Sequence, residues 1–187
     1  ADHIMMGDIV ETSAKTADIS LSIKAHAGIE KIELHNGSEV LETFRTYNDA
    51  ALGKRYRVIW SGAEYRGRGR NTNWSGQARF EGAIIQKFET INQWNPENLF
   101  EQRGSDSVIW KTITTGNFMG FDAWLGPTKD TRLSVGTNHG KLDVALNEIG
   151  LEPINLEAGG LERKLSVQRL PDSRLPRVLN IKHSVSL

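Results

Sequence analysis

The stretch DISLSIKAH, residues 18–26, alternates polar and apolar side chains at every step. A period of two places successive side chains on opposite faces of an extended chain, so the pattern predicts a β-strand with one buried face. Serine, lysine and histidine side chains occupy the opposite, solvent-facing positions. The predicted buried face consists of Ile19, Leu21, Ile23 and Ala25.

The same alternation continues downstream over residues 29–35 and stops at Asn36-Gly37. Asn-Gly is a strong hairpin signal, because the two central positions of such a turn favour positive φ angles. Residues 39–44 then alternate again. The sequence therefore predicts a β-hairpin with a two-residue turn at this dipeptide.

Short alternating segments recur about every ten residues along the rest of the chain and predict about eleven to thirteen strands. No helical stretch of useful length interrupts them, and parallel sheets need crossover helices. We therefore expect an all-β fold of antiparallel strands, a β-sandwich or a jelly roll. We also expect residues 83–91 to form a hairpin with residues 73–81, and residues 92–106 to form a long loop.

The 187 residues include 23 Lys+Arg and 23 Asp+Glu, so the formal net charge is zero. A neutral chain has no overall field that attracts nucleic acid or an anionic membrane, and no apolar run approaches the roughly 20 residues of a membrane span. The chain has no cysteine, which is compatible with the cytoplasm. The length predicts one β-sandwich domain over residues 1–187, and the start at Ala1 indicates a C-terminal fragment of a longer protein.

The sequence contains none of the standard catalytic motifs, such as a GxSxG elbow, a P-loop or an HExxH pair. Its five histidines are scattered without the spacing of metal ligands. His26 and His35 face solvent on neighbouring strands, but two histidines without a third ligand make a poor metal site. We therefore expect no catalytic residue, no metal and no cofactor in this chain.

Arginines alternate with glycines in YRGRGR, residues 65–70. One interpretation is an anion-binding site, in which guanidinium groups donate paired hydrogen bonds to an oxyanion. The other is a flexible turn whose arginines dock on a neighbouring surface, and the neutral net charge favours it.

The five tryptophans divide into two groups. Trp60 and Trp110 lie in clean alternation and are predicted core residues. Trp74, Trp94 and Trp124 lie near predicted loops, where exposed rings either stack on sugars or pack against another domain. Arginine and tryptophan are enriched at interface hot spots, so we predict one exposed surface that meets a partner or a ligand. Its residues are Arg66, Arg68, Arg70, Trp74, Asp122 and Trp124.

Seven short motifs occur in order along almost the whole chain. They are MMGDIV at 5–10, GIEKIELHNG at 28–37, GAEYRGRGR at 62–70, TTGNF at 114–118, FDAWL at 121–125, AGGLER at 158–163 and RLPD at 169–172. Together they resemble the C-terminal part of the bacterial family known as domain of unknown function 3604. Each motif alone is weak, and the resemblance rests on the ordered set.

Members of that family are long proteins whose central region resembles the polymerase-and-histidinol-phosphatase superfamily of metal-dependent hydrolases. The resemblance implies that the metal ligands lie upstream of Ala1, and no catalytic residue carries over to this chain. It implies an accessory domain that packs against the upstream catalytic domain, shapes its cleft or sets homo-oligomerisation. The alternative is a ligand-binding module, above all for carbohydrate, and a third reading is a self-contained enzyme with distant carboxylates.

Overall fold

The structure is a computed structural model, and it describes residues 8, 9, 11–127 and 130–186. Strands dominate these residues, every strand pairing among them is antiparallel, and their only helical segments are two 3₁₀ turns. The predicted all-β antiparallel sandwich is therefore confirmed. The motif at residues 5–10 lies largely outside the described residues.

Internal contacts divide the chain into two compact units. The smaller one contains residues 175–186 and the described residues up to 46, and it holds two two-stranded sheets. Its burial is shallow, because Ile19 and Ile23 are half-buried and Leu21 is 36% exposed. The strands are β1 (Thr16–Lys24), which pairs with β14 (Val178–Ser186), and β2 (Lys31–Asn36), which pairs with β3 (Glu39–Arg45).

The predicted hairpin is present in this unit, with its turn shifted by one residue. Asn36 ends β2 and pairs with Glu39, so the two turn residues are Gly37 and Ser38. Gly37 has a φ of 61°. This is the left-handed region, which glycine enters without steric cost.

We expect Gly37→Val to lower the free energy of unfolding by about 1–3 kcal/mol, because a β-branched residue strains this backbone conformation. A Cβ atom at this position meets nothing within 4 Å, so a loss reports backbone strain and not a clash. Ser38→Val is the matched control, since Ser38 does not have a positive φ. Denaturant unfolding measures both variants, and equal losses would contradict the φ requirement.

The larger unit, residues 47–174, contains two five-stranded sheets. In chain order its strands are β4 (Arg55–Ala63), β5 (Thr72–Glu81), β6 (Ile85–Ile91), β7 (Phe100–Arg103), β8 (Ser107–Thr114), β9 (Phe118–Leu125), β10 (Arg132–Thr137), β11 (Gly140–Ala145), β12 (Ile154–Glu157) and β13 (Leu161–Leu170). One sheet has the order β12-β13-β4-β9-β6, and the other has the order β11-β10-β5-β8-β7.

The two sheets of the larger unit pack on one shared core. Trp60 of β4 stacks on Trp110 of β8, with ring centroids 4.4 Å apart and an interplanar angle of 6°. Both rings are buried, as predicted from the alternation. Trp60 Nε1 donates to the Thr112 hydroxyl at 2.9 Å, so this buried N–H group has a partner.

Two predicted connections are wrong. Residues 83–91 do not form a hairpin with residues 73–81, because β6 pairs with β9, whereas β5 pairs with β8 and β10. Alternation identifies the buried face of a strand, but strands that are consecutive in sequence are not always neighbours in a sheet. The predicted long loop at residues 92–106 contains β7, which pairs with β8.

Candidate functional site

Three exposed arginines, Arg66, Arg68 and Arg70, lie in the loop that follows β4. The loop closes on itself, because the Glu64 N–H group donates to the Arg70 carbonyl at 3.1 Å. The Glu64 carboxylate is bound by Arg163 instead of by the loop. In the described part of the chain, no acidic side chain lies within ion-pair distance of the three loop arginines. The loop therefore presents a local excess of positive charge.

Two further loops reach the same end of the larger unit. The Gly116 N–H group donates to the Gly62 carbonyl at 3.1 Å, which joins the turn after β8 to the end of β4. Asn92 Nδ2 donates to the Phe118 carbonyl at 3.2 Å, which holds the loop after β6 beside the start of β9. These loops expose aromatic rings, so we define the arginine end as Tyr65, Arg66, Arg68, Arg70, Trp94 and Phe118, the three rings being 65%, 62% and 45% exposed.

Trp74 is fully buried, so the expectation of an exposed ring at this position is wrong. Its Nε1 donates to the Thr114 hydroxyl at 3.0 Å, and that hydroxyl donates to the Gly62 carbonyl at 2.7 Å. His139 meets the ring edge-on, with centroids 4.7 Å apart. Trp74 therefore anchors the base of the arginine end from inside and offers no face to a ligand.

Asp122 and Trp124 lie far from the loop arginines. Asp122 pairs with Arg57 and Trp124 pairs with Arg55, near the start of β4, whereas the arginine loop follows the end of that strand. At about 3.3 Å per residue, roughly 20–26 Å of strand separates the two regions. The six residues predicted to share one surface therefore do not come together, and only the three arginines belong to the arginine end.

The Asp122 carboxylate is buried between two arginines. Arg57 binds it in a two-pronged manner, with Nε at 2.8 Å from Oδ1 and Nη2 at 3.0 Å from Oδ2. Arg55 adds a bond from Nε to Oδ2 at 3.1 Å. Both carboxylate oxygens are occupied within the sheet, so this acid holds strands together and is not offered to a partner.

Two cations, one from each neighbouring strand, lie over the Trp124 ring. The Arg55 guanidinium carbon lies 4.8 Å from the ring centroid, and Lys87 Nζ lies 4.1 Å from it. Trp124 Nε1 donates to the Asp172 carbonyl at 3.2 Å. A sugar ring would have to displace these cations in order to stack here, and cation–π contacts contribute about 0.5–2 kcal/mol each.

The described residues include no group of three or more His, Asp or Glu side chains placed to hold a metal ion. We expect the purified chain to bind no stoichiometric zinc, iron or manganese, because a stable site needs three or four converging ligands. Elemental analysis of the protein after dialysis checks this prediction. A ratio near one metal ion per chain would contradict it.

None of the described helical segments is long and apolar enough to cross a membrane. Comparison with protein-family profiles, with curated proteins and with solved structures gives no match for this chain.

Proposed function

We propose that this chain is an accessory β-sandwich module of a larger metal-dependent hydrolase, and that it docks on the catalytic part through the arginine end. The link to a hydrolase rests on the resemblance to domain of unknown function 3604 proteins, which implies a catalytic region upstream. The observation that carries the docking role is the arginine end, which combines three loop arginines with three exposed aromatic rings.

The composition of the arginine end supports a protein partner. Arginine, tryptophan and tyrosine are the residue types most enriched at interface hot spots, because each buries a large area and also makes polar contacts. Three positive charges on one loop of a neutral chain favour a partner surface that carries carboxylates. We infer that the complementary surface of the catalytic part is acidic.

Carbohydrate binding, the alternative function, has less support from the geometry. Of the three tryptophans considered as sugar platforms, Trp74 is buried and Trp124 has two cations over its ring. Trp94 keeps an exposed ring and is the remaining candidate. A single ring provides limited stacking area, so docking is the better-supported function.

The docking proposal predicts that this chain and the upstream region associate in solution when they are produced as separate polypeptides. Replacing Arg66, Arg68 and Arg70 together by serine should weaken that association by about tenfold or more, because charged contacts at an interface are lost. Isothermal titration calorimetry measures the change.

The matched control removes the same charge from exposed positions elsewhere in the larger unit. Its substitutions are Arg79→Ser, Arg103→Ser and Arg174→Ser, and we expect them to leave the affinity unchanged. Equal weakening in both triple variants would show a general charge effect and contradict docking through the arginine end. Absence of any association between the two polypeptides would contradict the proposal as a whole.

A further inference from the structure

A cavity of about 560 Å³ opens between the two sheets of the larger unit. Tyr56 of β4 and Arg169 of β13 line it from one sheet, and Arg132 of β10 lines it from the other. Because Tyr56 lies at the start of β4, the cavity is at the opposite end of the unit from the arginine loop. Its volume is within the range of small-molecule sites.

Arg169 occupies a core-facing position of β13. It pairs with Tyr56, and Val167 and Leu165 at the preceding inward positions are fully buried. Its Nε donates to the Gly53 carbonyl at 2.6 Å, and its guanidinium carbon lies 5.7 Å from the Tyr56 ring centroid. In the described chain no acceptor lies within hydrogen-bond distance of its two terminal nitrogens. A half-buried guanidinium with two free nitrogens is suited to binding an oxyanion.

The Tyr56 hydroxyl is a second polar group of the cavity. The residue is 4% exposed, and among the described residues none hydrogen-bonds to its hydroxyl. Burial raises the pKa of the Tyr56 phenol above its ordinary value, Asp172 adds to the rise, and Arg169 opposes it. The phenol is therefore protonated at neutral pH and can donate a hydrogen bond.

Other polar side chains of the cavity are either already paired within the protein or provide hydrogen-bond acceptors. The Arg132 guanidinium is already bound by Asp143, with Nε at 2.8 Å from Oδ1. Asp130 and Asn147 line the cavity and provide oxygen acceptors. The cavity thus combines an oxyanion receptor with acceptors for hydroxyl groups.

We propose that this cavity binds a small hydroxylated carboxylate of the sugar-acid class. The ligand carboxylate accepts hydrogen bonds from Arg169 and Tyr56, and its hydroxyl groups donate to Asp130 and Asn147. This binding role is independent of the docking role of the arginine end, because the two sites lie at opposite ends of the unit and share no residue.

Glucuronate and glucose form a matched pair of probes, because a carboxylate in the first replaces a hydroxymethyl group in the second. We expect glucuronate to bind about tenfold or more tightly than glucose, since hydrogen bonds to charged groups are the stronger ones. Titration of the isotope-labelled chain, followed by amide chemical shifts around the cavity, measures both affinities.

Variants of the two receptor residues test the assignment. Arg169→Gln should weaken glucuronate binding about tenfold or more, and Tyr56→Phe should weaken it about two- to tenfold. Tyr56→Phe keeps the buried ring, so it gives a result even if Arg169→Gln does not fold. Arg66→Gln is the control, because it removes an arginine at the other end of the unit and should leave glucuronate binding unchanged.

Three outcomes would overturn the sugar-acid site: no chemical shift change with glucuronate, equal affinity for glucose and glucuronate, or unchanged glucuronate binding in Tyr56→Phe and a folded Arg169→Gln variant. None of these outcomes bears on the arginine end. Likewise, a failed docking experiment would not contradict glucuronate binding in the cavity.

Discussion

Replacing Trp60 by alanine should lower the free energy of unfolding by about 3–5 kcal/mol, the cost of removing a large buried aromatic side chain. Trp60 is fully buried and stacks on Trp110 between the two sheets, so its removal leaves a cavity in the core. The Thr112 hydroxyl also loses the donor that now lies 2.9 Å from it. Denaturant unfolding, followed by far-ultraviolet circular dichroism, measures the loss.

Trp94→Ala is the matched control for this experiment, because it removes the same side chain from a position that is 62% exposed. We expect it to cost less than about 1 kcal/mol, as surface substitutions usually do. Similar losses in the two variants would mean that the Trp60–Trp110 stack does not anchor the core.

Replacing Asp122 by alanine should lower the free energy of unfolding by about 3 kcal/mol. The substitution leaves two largely buried arginines, Arg55 and Arg57, without their shared carboxylate. Removing one partner of a buried ion pair costs about 3–5 kcal/mol, since the remaining charge is both unpaired and poorly solvated. In this variant Arg55 keeps its contact with the Trp124 ring. We therefore expect the decrease in the free energy of unfolding to be at the lower end of that range. Denaturant unfolding gives the value.

Asp143→Ala provides the comparison, because Asp143 also binds an arginine, Arg132, across a strand pair. Both of those side chains are about half exposed, and exposed ion pairs contribute about 0–1 kcal/mol. A loss for Asp122→Ala no larger than the loss for Asp143→Ala would show that the Asp122 cluster is solvated and dispensable.

Alternation along the sequence predicts the buried faces of strands in the larger unit, whereas the predicted buried face of β1 is only partly buried and its Leu21 is 36% exposed. Trp74 is informative, because its place in the alternating segment 73–81 puts it on the same face as Ala78 and Phe80, and all three are buried. Its nearness to a glycine-rich loop suggested exposure instead, and that suggestion is wrong. Side chains alternate between the two faces of a strand up to its last residue pair, and a loop that follows the strand does not change this alternation.

Pairing between strands was harder to predict, and the candidate surface depended on it. Trp74 and Trp124 seemed equivalent as tryptophans near loops, but β4 runs between the end that carries Arg66 and the end that carries Trp124. The local sequence does not give the distance between two loops, because that distance follows from the order of the strands in the sheet. Arg169 did carry a usable signal, since alternation from Leu165 places this charged residue on the core face.

Hydrogen exchange at residues 64–71 tests the docking role of the arginine end most directly. In the isolated chain, the Arg66 and Arg68 N–H groups form no backbone hydrogen bond within the described chain and should exchange rapidly. In a longer protein that carries the proposed upstream catalytic region, we expect these residues and the turn at 115–117 to become protected, while residues 172–174 at the opposite end exchange as before. Equal exchange of residues 64–71 in the two proteins would contradict docking through this end.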